Sequence, residues 1–148
     1  NKGRQFGYEN FPKIQISKLI TLCRLLMNKY KIKSSNLLGH SDIAPLRKKD
    51  PGEKFPWLIL SKKGLGNWHN INKAEAKIEI KQPNILRNKF FNNLHKIGYR
   101  YFDKKKSSKF DIKIIKAFQR RYRQNKINGL IDNECIQISS YLAKDLKN

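Results

Sequence analysis

Apolar residues recur every three or four positions between Lys13 and Tyr30, which is the spacing of one face of an α-helix. The residues on this face are Ile16, Leu19, Ile20, Cys23, Leu26, Met27 and Tyr30. Phe11-Pro12 precedes the pattern, and proline is tolerated in a first helical turn because the N–H that it lacks would have no partner there. The pattern therefore predicts a long amphipathic helix that begins near Pro12.

A shorter apolar run follows the predicted helix. Leu37-Leu38-Gly39 comes directly after a turn-forming Ser-Ser-Asn sequence, and it predicts a short buried strand that ends at His40. Between Ser41 and Leu60 the apolar residues lose any period, and prolines and a glycine punctuate the segment. This composition predicts an ordered loop.

The second half of the chain contains three helical patterns. They are carried, in order, by Leu86, Phe90, Leu94 and Ile97; by Ile112, Ile115, Phe118 and Tyr122; and by Ile136, Ile138, Tyr141, Leu142 and Leu146. Gly98 suits the left-handed position after the first helix, and Asp132 suits the N-cap of the third because its carboxylate can accept from backbone N–H groups. We expect a small three-helix domain over residues 86–148, after a linker over residues 63–85.

The formal net charge of +22 would suit a nucleic-acid-binding protein, because clustered Lys and Arg release counterions from phosphates. The 33 basic residues are spread evenly, however, with sixteen of them in residues 1–80, and no nucleic-acid-binding motif accompanies them. The charge is therefore a weak argument for a nucleic-acid partner. A transmembrane segment is not expected either, since polar side chains interrupt the longest apolar stretch, residues 14–27.

The segment from Gly39 to Gly52 holds the residues best suited to chemistry. His40 stands at the end of the predicted strand, and Asp50 follows ten residues later on a Pro-Gly turn. An imidazole nitrogen and a carboxylate oxygen that converge on one point are suitable ligands for Zn²⁺. A structural hydrogen bond between the two side chains is the simpler interpretation, and the spacing alone leaves both open.

Longer stretches of this segment resemble a known family. The sequence reads GHSDIAP, then RK, one residue, DPG, and after two more residues FPW. This series resembles the downstream active-site motif of the zinc-dependent N-acetylmuramoyl-L-alanine amidases, which are related to phage lysozyme-type amidases and peptidoglycan-recognition proteins. The resemblance implies that His40 and Asp50 are zinc ligands and that Lys48 is a catalytic residue. It gives Asp42 no ligand role, so a turn or supporting role is expected for this residue.

The implied reaction is hydrolysis of the amide bond between N-acetylmuramic acid and the L-alanine of the peptidoglycan stem peptide. A Zn²⁺ cofactor would polarise the amide carbonyl, and Lys48 would place a positive charge where the oxyanion develops. The implied partner is peptidoglycan or its muropeptides, and the implied location is the bacterial cell envelope, in the periplasm or outside the cell. The implied fold over residues 1–62 is an incomplete α/β amidase domain, a mixed sheet with helices.

One expectation from the family is not met within this sequence. The family's first zinc-binding histidine and its general-base glutamate are expected upstream of Asn1, so the chain supplies two of the three protein ligands that a catalytic zinc normally has. His69, in the predicted linker, and His95, in a predicted helix, are poor substitutes. Three interpretations remain: an amidase that is active in a longer chain or with a separate N-terminal fragment, a cell-wall-binding chain without catalysis, and a nucleic-acid-binding protein, which the net charge alone permits.

An incomplete α/β domain would also leave apolar surface uncovered. The residues concerned are Leu37, Leu38 and the predicted helix over residues 13–30. We therefore expect the isolated chain to aggregate or to need a partner.

The second half of the chain carries a resemblance of its own. Ala117-Phe118-Gln119 and the later turn Gly129-Leu130-Ile131-Asp132 resemble the common peptidoglycan-binding three-helix domain. The resemblance implies binding of glycan or stem peptide but assigns no contact residues. Phe118 is expected in the core, and Gln119 is expected to be a buried hydrogen-bonding side chain.

Overall fold

The computed structural model describes residues 7–71 and 83–145. The regular elements are α1 Lys13–Tyr30, a short 3-10 helix Ser34–Asn36, α2 His40–Ile43, α3 Trp57–Ser61, α4 Pro83–Ile97, α5 Asp111–Tyr122 and α6 Asn133–Asp145. Every regular element in the two described ranges is therefore helical. No helix among them combines the length and the apolar character that crossing a bilayer requires.

The α/β architecture predicted for residues 1–62 is wrong for the described part of the chain, which contains no strand. Leu37 and Gly39 do have extended backbone, but an extended segment becomes a strand only when a neighbouring strand pairs with it. Here the Leu37 carbonyl accepts from the Arg121 guanidinium at 3.1 Å, and the Gly39 N–H donates to the Asp42 carboxylate at 2.8 Å. Side chains thus satisfy this backbone, and the chain continues directly into α2.

Helix α1 begins directly after Pro12, as its apolar pattern predicts. Its inner face packs on a small core formed by Phe55, Trp57, Leu60 and Leu65. The residues of α1 on this face are Ile16, Leu19, Ile20, Cys23 and Met27. Leu26 and Tyr30, which the same pattern predicts to face inward, are exposed, and so are Ile14, Leu22 and Leu25. Helix α1 therefore buries one apolar face and presents further apolar side chains to solvent.

Helices α4, α5 and α6 enclose the larger core, which confirms the three predicted helical patterns. Its fully buried side chains include Phe90, Phe91, Leu94, Ile114, Phe118, Ile138 and Leu142. Gly98 has a φ of +114° directly after α4, and the Cys135 N–H donates to Asp132 Oδ1 at 3.1 Å at the start of α6, so both predicted caps are confirmed. Ile112 is exposed although its pattern predicts burial.

The segment after α3 connects the two cores. Leu65 is buried in the smaller core, and Trp68 packs against both cores. Residues 72–82, which include part of the predicted linker over residues 63–85, lie outside the described residues, as does Leu146. The division into one domain over residues 1–62 and another over residues 86–148 therefore stays a prediction.

Candidate metal-binding site

The loop from Gly39 to Gly52 brings His40 and Asp50 together. His40 opens α2, and the Ser41 N–H donates to the backbone carbonyl of Asp50 at 3.0 Å, which closes the loop. As a result, His40 Nδ1 lies 2.5 Å from Asp50 Oδ2. Both side chains face solvent, with 70% of His40 and 56% of Asp50 exposed. A histidine nitrogen and a carboxylate oxygen therefore meet at one accessible point.

The surroundings of Asp50 favour its ionised form. Burial raises the pKa of Asp50, but hydrogen bonds from His40 and the backbone, together with the positive charge of Lys48, lower it below the ordinary value of 3.8. Lys48 lies half-buried on the same loop, where its N–H donates to the Ala44 carbonyl at 2.9 Å. The positive charge of Lys48 therefore acts on the Asp50 carboxylate, the partner of His40.

The absence of a side chain at Gly39 permits this arrangement. A Cβ atom at Gly39 would lie 2.6 Å from Pro51 Cδ and 3.2 Å from the Trp57 ring. Because Pro51 follows Asp50 directly, a larger residue at position 39 would push Asp50 away from His40. The first glycine of the GHSDIAP motif therefore has a steric role in the site.

Asp42 links the loop over residues 39–52 to residues of the second half of the chain. It is buried, and its Oδ2 accepts from the Gly39 N–H at 2.8 Å and from Arg121 Nη1 at 2.9 Å. Its Oδ1 accepts from the Tyr99 hydroxyl, also at 2.8 Å. The supporting role expected for this residue is confirmed, because its carboxylate joins the turn before His40 to the helical half of the chain.

Arg121 is the partner of Asp42 on α5, and the sequence reasoning missed it. Its guanidinium carbon lies 3.5 Å from the centroid of the Trp57 ring, and its Nη2 donates to the Leu37 carbonyl at 3.1 Å. A signal was available in the sequence: Arg121 lies three residues after Phe118, on the buried face of α5. An arginine at a core position needs a buried acceptor, and Asp42 supplies it.

The two remaining histidines do not join the site. His69 stacks on Trp68 with ring centroids 5.0 Å apart and donates from Nε2 to the Tyr122 carbonyl at 2.8 Å, while His95 is exposed on α4. Among the described residues, no group of three or more His, Cys, Asp or Glu is placed to hold a metal ion. The site described here offers two donors of the types that Zn²⁺ accepts, one fewer than a catalytic zinc normally takes from protein.

Comparison with known proteins shows which enzymes this segment is similar to. Residues 2–53, which contain His40, Lys48 and Asp50, match the family of N-acetylmuramoyl-L-alanine amidases. Over 138 residues, 90% of the chain, the sequence is 32% identical to N-acetylmuramoyl-L-alanine amidase AmiD of Escherichia coli (strain K12). The chain is therefore similar in sequence to N-acetylmuramoyl-L-alanine amidases over most of its length. A shorter match, 46% identical over 43 residues, joins it to 1,6-anhydro-N-acetylmuramyl-L-alanine amidase AmpD of Enterobacter cloacae.

Solved structures extend the likeness to these amidases over both halves of the chain. The structure of E. coli AmiD, in complex with the substrate anhydro-N-acetylmuramic acid-L-Ala-D-gamma-Glu-L-Lys, superposes with a TM-score of 0.80 at 30% identity and covers 94% of the chain. AmpDh3 from Pseudomonas aeruginosa superposes with a TM-score of 0.76 at 23% identity, which shows a shared fold. The chain covers 49% of the AmiD sequence and 23% of the AmpD sequence, so it spans about half or less of these curated relatives.

Proposed function

We propose that this chain carries part of the active site of a peptidoglycan amidase, which hydrolyses the amide bond between N-acetylmuramic acid and L-alanine. The observation that carries the proposal is the meeting of His40 Nδ1 and Asp50 Oδ2 at 2.5 Å on an exposed loop within the family match. A structural hydrogen bond serves stability best when it is shielded from water, whereas this pair is open to a ligand.

Zinc is the proposed cofactor, and His40 and Asp50 are its proposed ligands. When bound, Zn²⁺ would act as a Lewis acid on the amide carbonyl of the substrate. The two side chains fit it by donor type, since zinc accepts imidazole nitrogen and carboxylate oxygen. The depressed pKa of Asp50 supports this role, because a carboxylate must be deprotonated to bind a metal.

Lys48 is the proposed catalytic residue. Its charge acts on Asp50, so its ammonium group belongs to the same neighbourhood as the proposed ligands. A fixed positive charge beside the scissile amide would stabilise the oxyanion that develops on the carbonyl oxygen during hydrolysis. Gly39 and Asp42 would position the site without touching substrate.

The proposed substrate is a muropeptide, and the proposed location is the bacterial cell envelope. The substrate bound to AmiD contains a γ-linked glutamate and a terminal lysine. A γ-linkage leaves the α-carboxyl of glutamate free, and the terminal residue adds a second free carboxyl. A muropeptide of this kind would therefore bring an anionic peptide to a strongly basic chain.

A second candidate function is cell-wall binding without catalysis. One observation favours it: the described residues supply two metal donors, and a catalytic zinc normally has three protein ligands. In that case the α4–α6 unit, whose sequence resembles a peptidoglycan-binding domain, would carry the activity.

The deciding experiment measures zinc binding and muropeptide hydrolysis together. Zinc affinity would be determined by equilibrium dialysis for the chain, for His40→Ala and Asp50→Asn, and for His95→Ala as a matched control on the exposed surface of α4. Hydrolysis of the anhydro-muramyl tripeptide would be measured for two proteins. One is the chain itself, and the other is an extended form that adds an upstream segment containing the family's first zinc-binding histidine and its general-base glutamate.

The amidase proposal expects zinc affinity to fall at least about tenfold in the two site variants and to stay unchanged in His95→Ala. It also expects hydrolysis by the extended form, with kcat reduced about 100-fold by Lys48→Gln. Absence of zinc binding and hydrolysis in both forms, combined with retention on cell-wall sacculi, would establish the second candidate instead.

A further inference from the structure

A basic cavity lies beside the proposed active site. It has a volume of about 390 Å³ and separates the loop over residues 45–49 from helix α5. Its charged lining residues are Arg47, Lys48, Lys49, Lys113, Lys116 and Arg120, and none of its described lining residues is acidic. We call this cavity the cationic groove.

A second cavity lies between the cationic groove and one of the proposed zinc ligands, Asp50. This smaller cavity, of about 160 Å³, shares Lys49 and Arg120 with the groove and is also lined by Asp50. Lys48 therefore lines the cationic groove itself, whereas Asp50 lines the neighbouring cavity instead, which also contains the acidic Glu53. The Lys113 ammonium group donates to the Leu46 carbonyl at 3.2 Å, which fixes the width of the groove by joining its two walls.

Arg120 is the unusual residue of the cationic groove. Only 5% of it is exposed, and its Nε has no hydrogen-bond acceptor among the described residues. Burial lowers the pKa of Arg120, and the charge of Glu53 opposes this effect. Buried donors in native proteins are nearly always paired, and a guanidinium is built to bind carboxylates. Arg120 lines the basic cavity and keeps an unpaired Nε beneath its surface, a combination suited to a residue whose guanidinium binds an anionic ligand.

We propose that the cationic groove binds a free carboxylate of the muropeptide stem, with Arg120 as the main contact and Lys116 and Arg47 as the supporting charges. The inference rests on the proposed function, and it gives the C-terminal helices a part in substrate selection. The muramyl–alanine amide would lie near Lys48 and Asp50, and the stem peptide would extend along α5. A carboxylate is favoured over a phosphate polymer because the groove is lined by Lys48, the proposed catalytic residue, and lies next to the cavity that Asp50 lines.

The test compares a charged ligand with a neutral one. Binding of the anhydro-muramyl tripeptide and of its carboxamide analogue, in which both free carboxyls are amidated, would be measured by titration calorimetry at low and high salt. The double variant Arg47→Gln/Lys116→Gln removes two groove charges without touching Lys48 or the Lys113 bridge. Lys89→Gln/Lys96→Gln is its matched control, because it removes the same charge from the exposed face of α4.

We expect the tripeptide to bind about tenfold more tightly than its carboxamide analogue, and we expect the groove variant to remove most of this difference. The control variant should retain it. Arg120→Lys keeps the charge but removes Nε, and it should weaken tripeptide binding about tenfold while leaving carboxamide binding unchanged.

Equal binding of the two ligands, unaffected by the groove variant, would overturn the carboxylate proposal and leave the amidase proposal intact. No binding of either ligand would overturn both. Competition by inorganic polyphosphate at equal affinity would show that the cationic groove attracts any polyanion, and it would also overturn the proposal.

Discussion

Arg121 joins three separate parts of the chain although only 2% of it is exposed. It pairs with Asp42, stacks on Trp57 and donates to the Leu37 carbonyl. Together with Tyr99, these residues form what we call the junction, the contact between the site loop and the helical half of the chain. A buried charge of this kind is stable only while its counter-charge is present.

Removing Arg121 should therefore destabilise the whole chain. In Arg121→Met the Asp42 carboxylate keeps the Tyr99 and Gly39 donors but loses its counter-ion, and we expect the free energy of unfolding to fall by about 3–5 kcal/mol. Urea titration followed by circular dichroism measures this loss. The exposed Arg47→Met is the matched control and should change stability by less than about 0.5 kcal/mol.

A double variant tests whether the stability lost in Arg121→Met comes from leaving the Asp42 carboxylate without a counter-ion. Arg121→Met combined with Asp42→Asn should recover part of the lost stability, because no buried carboxylate then lacks a counter-ion. A loss below about 1 kcal/mol in Arg121→Met alone would contradict this account of the junction.

Among the individual residues, the motif residues and the supporting role of Asp42 could be predicted from the sequence, whereas the partners of Asp42 could not. His40, Asp50 and Lys48 stand in a recognisable series, so the sequence alone brings them together in one hypothesis. Arg120 and Arg121 belong to a Gln-Arg-Arg-Tyr run that has the composition of a solvated helix end. The spacing from Phe118 places Arg121 on the buried face of α5, but local sequence does not identify Asp42 as its partner, because that contact joins residues 79 positions apart.

Helix α6 depends on its first residues for stability. The Asp132 carboxylate accepts from the Cys135 N–H and pairs with Arg123 and Lys126. Burial raises the pKa of Asp132, but these partners, with Arg123 foremost, lower it from 3.8 to about 2. A carboxylate at the start of a helix also interacts favourably with the helix dipole.

This depressed pKa predicts a pH-dependent contribution of Asp132 to stability. Because the folded state holds the proton less tightly than the unfolded state, the contribution is complete above the unfolded pKa of 3.8 and disappears as the pH falls through about 2. Allowing for partial solvent exposure, it should amount to about 1–2 kcal/mol. Asp132→Asn preserves the cap and removes the charge.

The measurement compares unfolding free energies of the chain and Asp132→Asn from about pH 6 down to about pH 2. The difference between the two proteins should shrink with falling pH. A difference that stays constant over this range would show that folding does not lower the pKa of Asp132, which would contradict the prediction.

The sequence predicted the helices correctly and the strand at Leu37-Leu38-Gly39 wrongly, for a physical reason. A helix satisfies its own backbone, so the periodic patterns of α1, α4, α5 and α6 suffice to locate them. A strand needs a partner, and Leu37-Leu38-Gly39 finds side-chain partners at the junction. The apolar surface expected on α1 is present, since Leu22 and Leu25 are exposed on it.

At the scale of the whole molecule, the described residues form two cores that share contacts. Trp68 packs against both, Gln124 donates to the Phe55 carbonyl at 2.7 Å, and the junction adds a buried ion pair between them. Units tied by a buried charge and a shared aromatic residue lose stability together when one of them opens.

The chain should therefore unfold in one step. Differential scanning calorimetry is expected to show a single transition whose calorimetric and van't Hoff enthalpies agree. Arg121→Met should lower the transition temperature of the whole chain. Two separate transitions in the unaltered protein would instead show that residues 1–62 and 86–148 are independent folding units.

Both tryptophans of the chain lie at the contact between its two cores. Trp57 is covered by the Arg121 guanidinium, and the Trp68 ring lies 6.0 Å from the Tyr122 ring. The tryptophan fluorescence of this protein therefore reports only on that region. A red shift of the emission would report separation of the site loop from the helices without any added label, and it would distinguish ligands that close this contact from ligands that bind elsewhere.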